Sequence, residues 1–434
     1  MSVKMKQSGI EWIGEIPEHW DLVKGKYLFT NIKEIVGKDS YRFKRLALTL
    51  NGIIERDKES SDGLQPINFD TYQIVRENNL IFKLIDLQNI STSRVGLTWS
   101  DGIMSSAYIR LVPVKNISIK FYENFYLMMW YYNIFNNLGD AGVRSNLNAT
   151  DLLNIQIPYP PIEEQRLIAV RLNQICGTLD NTKADIEKQI EILNEYKKSV
   201  ITEAVTKGLD KNVELKDSGI DWIGEVPEHW NIIPLKYLCF MKSGKNITTI
   251  DIVFEKTSKN RYPVYGANGF RGYYNSYTNC GSYCIVGRQG ALAGNVHFVS
   301  GKFWATDHAV VCYSYQNTYS NYLYYLLFSM NLNQYAFDTA AQPGLSVEKI
   351  SNLRVVIPPI EEQEEIVTYL DSKCSEIDSI IENKKQQLEL LEEYKKSIIY
   401  EYVTGKREVT APLDGVSAKP DFAVAPDNQS VSIE

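Results

Sequence analysis

The side chains best suited to reading a patterned polar surface lie beside glycine turns. In the second half these are Asn268 and Arg271 around Gly266-Ala267-Asn268-Gly269, Arg288 and Gln289 in Gly287-Arg288-Gln289-Gly290, and Gln342 and Ser346 around Gln342-Pro343-Gly344. In the first half they are Arg94, Arg144, Asn146 and Asn148. Forked Arg side chains and Asn or Gln amides discriminate base edges in the major groove, Arg on guanine and the amides on adenine. Neighbouring glycines let a loop approach a duplex closely. Lys44, Arg45, Lys242 and Lys245 are the matching candidates for phosphate contacts, and Tyr273 and Tyr274 suit packing on sugar or base edges.

Bond-making chemistry is harder to find. An adenine methyltransferase needs an Asn or Asp before Pro-Pro to hold a flipped base, but Tyr159 and Ile357 precede Pro160-Pro161 and Pro358-Pro359. No G-x-x-x-x-G-K-[ST] loop is present, so no nucleotide-driven motor is encoded. Cys280, Cys284, Cys312, His297 and His308 lack a second closely spaced pair and read as buried thiols and isolated rings rather than a zinc site. His19 and His229 each sit between Glu and Trp without a nucleophile, which reads as a structural joint. The chain is expected to be non-catalytic by itself and to bind no metal.

The elements that must carry these residues occur twice. Residues 8–20 (SGIEWIGEIPEHW) return at 218–230 as SGIDWIGEVPEHW, and residues 160–165 (PPIEEQ) return at 358–363. Each half is therefore a fixed head, a variable middle and a fixed tail. The tails read as long helices. The prolines suit a first helical turn, and Glu163-Glu164 and Glu361-Glu362 face the positive end of the helix dipole. Leu172, Leu179, Ile186, Leu193 and Val200 recur every seven residues, as do Leu370, Ile377, Leu391 and Ile398 with Lys384 interrupting and Lys373 at a flanking position. Such spacing makes a narrow seam and a supercoiled pair, about 40–45 residues or roughly 60–68 Å per helix. Packed antiparallel, the two helices would hold the variable middles at opposite ends of a rod. The end of the second tail, near Arg407, should then lie beside the first head at Ser8.

The 434-residue chain exceeds one ordinary core and has a formal net charge of −7, which taken whole argues against nucleic acid. Divided by segment the argument reverses. Residues 21–157 carry +2 and residues 231–357 carry +6, while the helical tails, the second head and the end segment are all acidic. Two positive domains on acidic spacers fit contact with a polyanion. Apolar content of 44% excludes disorder throughout, and no apolar run is long enough for a membrane span. The N-terminus has no apolar signal region and the six scattered Cys suit a reducing compartment, so a cytoplasmic location is expected. The expected organisation is residues 1–157, a first α+β domain with its head; 158–210, the first long helix; 211–357, a second α+β domain with its head; 358–407, the second helix; and 408–434, a tail.

The doubled head, the PPIEEQ-initiated helices, and the strings Gly266-Ala267-Asn268-Gly269, Gly287-Arg288-Gln289-Gly290-Ala291, Asp307-His308-Ala309-Val310-Val311 and Gln342-Pro343-Gly344-Leu345-Ser346 resemble the specificity subunits of type I restriction–modification systems. The likeness covers residues 8–407 and is less distinctive in the first middle, where Leu48-Thr49-Leu50-Asn51-Gly52 and Gly142 to Leu147 carry it. The resemblance implies two target-recognition domains, each reading half of a split site in double-stranded DNA. It implies two helices, packed as an antiparallel coiled coil with pseudo-two-fold symmetry, that separate the halves and dock two methyltransferase subunits. Restriction and translocase subunits would join them, with S-adenosylmethionine, ATP and Mg held by those partners and no membrane involved. Apart from the resemblance, two binding modules on a rod also admit a non-DNA interaction scaffold, which would lack heparin retention and salt-steep DNA binding.

Overall fold

The structure is a computed structural model that describes residues 4–59, 66, 68–87, 92–138, 146–290, 293–335 and 344–409. The chain forms two compact units, one from residues 1–185 with 387–434 and one from residues 186–386. Each unit contains a head, a variable domain, and segments of both long helices. Among the described residues no helix is long and apolar enough to cross a membrane.

Both long helices are continuous, Ile162–Lys207 and Ile360–Val403. Their 46 and 44 residues give about 70 and 65 Å of axis at ~1.5 Å per residue. The seven-residue seam is inward throughout. Leu172, Ile186, Leu370, Ile377 and Ile398 are buried, and Leu179, Leu193, Val200 and Leu391 are partly covered. Polar contacts show the helix direction inside each unit. In the first, Lys395 Nζ donates to Asp180 at 2.6 Å and Lys183 pairs with Glu392. In the second, Lys197 Nζ donates to Asp378 at 2.6 Å and Lys384 Nζ to Gln189 at 2.5 Å. Partner numbers fall on one helix as they rise on the other, so the helices are antiparallel in both units. Lys395–Asp180 and Lys197–Asp378 are the same contact repeated by the 198-residue offset of the tails. Lys373 does not set register. It is half-exposed and pairs with Glu376 one turn along its own helix.

Each domain joins its spacer helices through a two-stranded neck. Residues Asp21–Lys24 pair antiparallel with Gln156–Tyr159, and Asn231–Pro234 with Arg354–Ile357. Between the neck strands the first domain builds two four-stranded sheets. One runs in the order Gly52–Arg56, Arg45–Thr49, Gly102–Met104, Gln73–Val75, and the other Phe29–Asn31, Ile109–Pro113, Leu80–Phe82, Val95–Leu97. An aromatic-rich stretch of this domain forms helices Ile119–Tyr131 and Ile134–Leu138. Its Phe121, Tyr122, Phe125 and Tyr126 fill a core shared with Trp20, Leu172, Ile398 and Tyr402. The ring of Tyr126 meets Phe82 edge-on at 4.9 Å, a favoured aromatic geometry.

The second domain is a single six-stranded sheet in the order Cys239–Ser243, Ala309–Ser314, Asn279–Gly287, Val296–Ala305, Tyr262–Gly266, Gly269–Tyr274. Helix Ser320–Ser329 packs Tyr322, Leu323, Leu326 and Leu327 into a core with Trp230, Ile201, Val205, Ile366 and Leu370. Cys239, Cys284 and Cys312 are buried in this core. A hydrogen bond with Cys239 and then burial push the Cys312 thiol well up, and burial does the same to Cys284. No group of three metal-ligating side chains occurs among the described residues.

Candidate nucleic-acid interface

The start of each spacer helix is bolted to its domain by a buried amide. Gln165 Oε1 accepts from Ser118 N at 3.0 Å and its Nε2 donates to Pro160 O at 2.8 Å. Gln363 repeats this, with Oε1 accepting from Tyr319 N at 2.8 Å and Nε2 donating to Asn317 O and Pro358 O at 3.1 and 3.0 Å. Ser118 and Tyr319 are the N-caps of the two domain helices, so one side chain satisfies an orphan helix donor and ties two elements together. Sequence reasoning assigned Glu163-Glu164 and Glu361-Glu362 to the dipole and passed over these glutamines. Their recurrence in PPIEEQ was the available signal.

The preceding glutamates also do more than face the dipole. His19 Nε2 lies 2.9 Å from Glu164 Oε2, and His229 Nε2 2.6 Å from Glu362 Oε1, whose Oε2 accepts from Trp230 Nε1 at 2.9 Å. The histidines thus hinge the head hairpins to the helix starts. The far ends are fastened too. Gly208 and Gly405 follow the helices with φ of +74° and +71°, a left-handed cap that glycine adopts without strain. A Cβ on Gly405 would come 2.3 Å from Pro17, and one on Gly208 3.2 Å from Trp230. Tyr400 Oη donates to Ile13 O at 3.2 Å and Lys406 donates to the same carbonyl. The end of the second helix therefore returns to the first head, as the repeat demands.

These fastenings leave the strand ends of the second domain open, and most of its predicted contact residues gather there. Gly287-Arg288-Gln289 leaves strand Asn279–Gly287 and crosses the 344–346 segment, with Arg288 N donating to His308 O at 2.9 Å and Leu345 N to Arg288 O at 2.8 Å. Gln289 and Gly344 form a further bridge. Arg288 Nη1 reaches Ser243 Oγ at 3.2 Å, which brings Lys242 and Lys245 alongside. Lys245 N donates to Ala305 O at 2.9 Å, and Thr306 N to Tyr265 O at 2.9 Å, so the adjoining hairpin is close by. Exposed Asn268 stands at the tip of that hairpin and exposed Arg271 lies against Gly266. His297 packs under the tip at Gly269. Burial pulls its imidazole below the ordinary value.

Not every candidate is presented outward. Tyr274 leans on Trp304 of strand Val296–Ala305 at 5.2 Å and Tyr273 on Phe270 of its own strand at 5.2 Å, so both rings take part in packing on the sheet. Ser346 caps helix Val347–Ser351 by accepting from Lys349 N at 3.4 Å. Gln342 and Arg144 lie outside the described residues.

The first domain corrects several expectations. Arg94 is 2% exposed and donates to Asp86 O at 2.7 Å and Ile85 O at 3.5 Å; it closes a loop rather than facing a ligand. Arg45 is 6% exposed, donates to Asp57 O at 3.2 Å and stacks over Phe69. Neither can reach a phosphate without unfolding its surroundings. Asn148 is a capping-box residue, accepting from Thr150 N and Asp151 N at 2.8 and 3.0 Å while Asp151 returns the bond. Asn146 Oδ1 accepts from Asp86 N at 3.1 Å. Lys44 stays exposed, paired with Glu55 at 2.8 Å and lying over Trp99. It is the one cation of this domain's list that keeps an accessible ammonium among the described residues.

The fold and this strand-end site define a class: a duplicated protein with two α+β domains, the second clearly cationic at its sheet end, each held between paired long helices. A family model for the type I restriction modification DNA specificity domain matches residues 13–192 and 227–390. The chain belongs to this family of type I restriction–modification DNA specificity subunits. It is 40% identical over 142 residues to the type I restriction enzyme EcoprrI specificity subunit of Escherichia coli, covering 33% of this chain and 35% of that protein. It is 25% identical over 417 residues to the putative type I restriction enzyme MjaX specificity subunit of Methanocaldococcus jannaschii, covering 92% and 96%. A solved structure from work on complex assembly and conformational transition of the type I R-M system shares the fold, with a TM-score of 0.67 and 13% identity over 90% of this chain and 99% of that one. Specificity subunits of these systems serve DNA recognition and are themselves non-catalytic.

Proposed function

We propose that each domain reads one half of a bipartite, asymmetric site in double-stranded DNA, and that the paired helices set the unread distance between the halves. The observation that carries this is the convergence of Lys245, Asn268, Arg271, Arg288 and Gln289 at one end of the second sheet, in the segment with the largest positive charge. Arg and amide side chains there supply base readout while the lysines anchor phosphates. The acidic helices stay off the DNA and dock two methyltransferase subunits, which bring S-adenosylmethionine. Restriction and translocase subunits bring ATP and Mg, and the assembly works in the cytoplasm of a prokaryotic cell.

The chain, expressed with its methyltransferase subunits, should direct N6-adenine methylation to one split motif, which genome-wide methylation mapping identifies. On that motif, Arg288→Ala should weaken specific binding by roughly 1–3 kcal/mol, while Lys242→Ala should mainly flatten the salt dependence. Titrations at several salt concentrations check this. Equal losses on specific and unrelated duplexes for both variants would remove Arg288 from base readout. Methylation at an unsplit motif would overturn the bipartite reading.

A further inference from the structure

The two most exposed large apolar side chains among the described residues are close neighbours. Ile250 is 94% and Phe254 88% exposed, against 70% or less for every other large apolar residue. They lie four residues apart between strands Cys239–Ser243 and Tyr262–Gly266 of the second domain.

The segment that carries them is firmly held. At its start Lys245 N donates to Ala305 O at 2.9 Å, and Lys245 O accepts from Trp304 Nε1 at 3.1 Å. At its middle Val253 and Tyr273 exchange backbone hydrogen bonds of 3.0 and 2.7 Å. A Cβ at Gly272 would lie 2.5 Å from Val253 O, so the strand is glycine where the segment docks. Near its end Thr257 N donates to Asn260 O at 3.0 Å and Asn260 N to Thr257 Oγ1 at 2.9 Å. The Thr248 hydroxyl engages the Asp251 carboxylate across the short turn Thr249–Asp251. Tied to the sheet at its start and middle and turned on itself near its end, the segment holds Ile250 and Phe254 out in solvent.

The surroundings are cationic. Lys242, Lys245, Lys256, Lys259 and Arg261 flank the pair, against Asp251 and Glu255. Two exposed apolar side chains in a cation-rich stretch of chain complement a polyanion whose apolar interior is reached between stacked planes. Duplex DNA has that construction, and isolated Ile and Phe side chains are the type that enters a base step. We propose that Ile250 and Phe254 form a wedge that enters one base step of the bound duplex and unstacks it, with the flanking lysines on the adjoining phosphates. The inference rests on the second domain binding DNA, and its test separates the two ideas.

The full chain, assembled with its methyltransferase subunits, is titrated with duplexes of the methylated motif. These carry 2-aminopurine at each position in turn except the methylated adenine, whose own extrusion would brighten the probe. One step should brighten several-fold with the wild-type protein. The double variant Ile250→Ser, Phe254→Ser should abolish that signal and weaken binding about tenfold or more, from the lost apolar burial. Its salt slope should stay unchanged because no charge is removed. Lys256→Gln with Lys259→Gln should do the reverse, flattening the slope and keeping the signal. Both substituted apolar residues are exposed, so thermal melts should match the wild type. Tight, motif-specific binding with no bright step, or an undimmed signal in the double variant, would overturn the wedge and leave DNA recognition standing. Loss of methyltransferase assembly in the double variant with the signal intact would instead mark a protein contact. Absence of motif preference in the wild type would overturn both ideas.

Discussion

Replacing Gln363 with Leu should partly detach the second domain from its helix. The side chain is fully buried and makes three hydrogen bonds, to Tyr319 N, Asn317 O and Pro358 O. Leucine fills similar space and satisfies none of them. An unsatisfied buried backbone group costs about 1–3 kcal/mol, and partial hydration of the helix start will relieve some of that, so a net loss of about 3–5 kcal/mol is expected. For a unit of this size that corresponds to a fall of about 6–20 °C in its melting temperature, at ~2–4 °C per kcal/mol. Calorimetry with hydrogen exchange at Tyr319 is the assay, and the loss should fall on residues 186–386. Gln363→Glu supplies a second arm. The introduced carboxylate can still accept from Tyr319 N but faces the carbonyls of Asn317 and Pro358. The variant should be badly destabilised at neutral pH and partly recover as pH falls and the carboxyl gains a donor proton. A Leu variant melting within 1 °C of the parent, or a Glu variant without pH dependence, would refute the bolting role.

Arg94→Ala should destabilise the first unit by about 1–3 kcal/mol, since it empties the space of a buried side chain and removes its hydrogen bonds to the Ile85 and Asp86 carbonyls, and should leave the base preference of the second half-site untouched; a changed motif at full stability would restore Arg94 as a reader. Repeat symmetry suggests lengthening the helices near Ala184 and Glu382. The cross-helix pairs instead place matched insertion points after Asp185 and Gln386, where Lys183–Glu392 stays on one side and Gln189–Lys384 on the other. Four residues at both points add about 6 Å and keep the seam within ~40° of its original face. Methylation mapping should then show an unread spacer about two base pairs longer at ~3.4 Å per pair, and an unchanged spacer would refute the ruler. Burial, with Cys176 and nearby carboxylates adding to it, pushes the Tyr131 phenol up to about 12. The unfolded chain releases that proton near its ordinary value of ~10, so stability is intact below pH ~10 and falls as pH rises toward ~12. Alkaline melts of Tyr131→Phe should show a shallower decline.

The architecture was legible because it is written in periodicities. The head repeat, the seven-residue seam and the prolines at 160–161 and 358–359 gave two antiparallel helices and the return of the chain to Ile13. Side-chain duty inside the domains was not legible in the same way. Arg45 opens a strand and Arg94 precedes one, much as Arg288 follows one, and only the packing around each decides that two are covered while the third stays half-exposed at a sheet end. Asn148 was readable and was missed: Asn148-Ala149-Thr150-Asp151 before Leu152 is a capping box, which commits the amide to backbone. Gln165 and Gln363 recur within PPIEEQ, but nothing in the string says that their partners lie at residues 118 and 319. Ile250 and Phe254 escaped notice because two apolar residues in a loop carry no period, and only their exposure sets them apart.

The two-stranded necks have a consequence for inheritance. Lys24 stands opposite Gln156 and Asn231 opposite Ile357, so each domain leaves its frame one strand spacing from where it began, ~4.8 Å away. A foreign segment needs only two ends that fit this gap to be seated without moving a head or a helix. Because the borders of the two necks are near-copies, head for head and PPIEEQ for PPIEEQ, a paired exchange with one crossover in each border would deliver such a segment whole. The frame can therefore stay constant while what it carries is replaced in one genetic step.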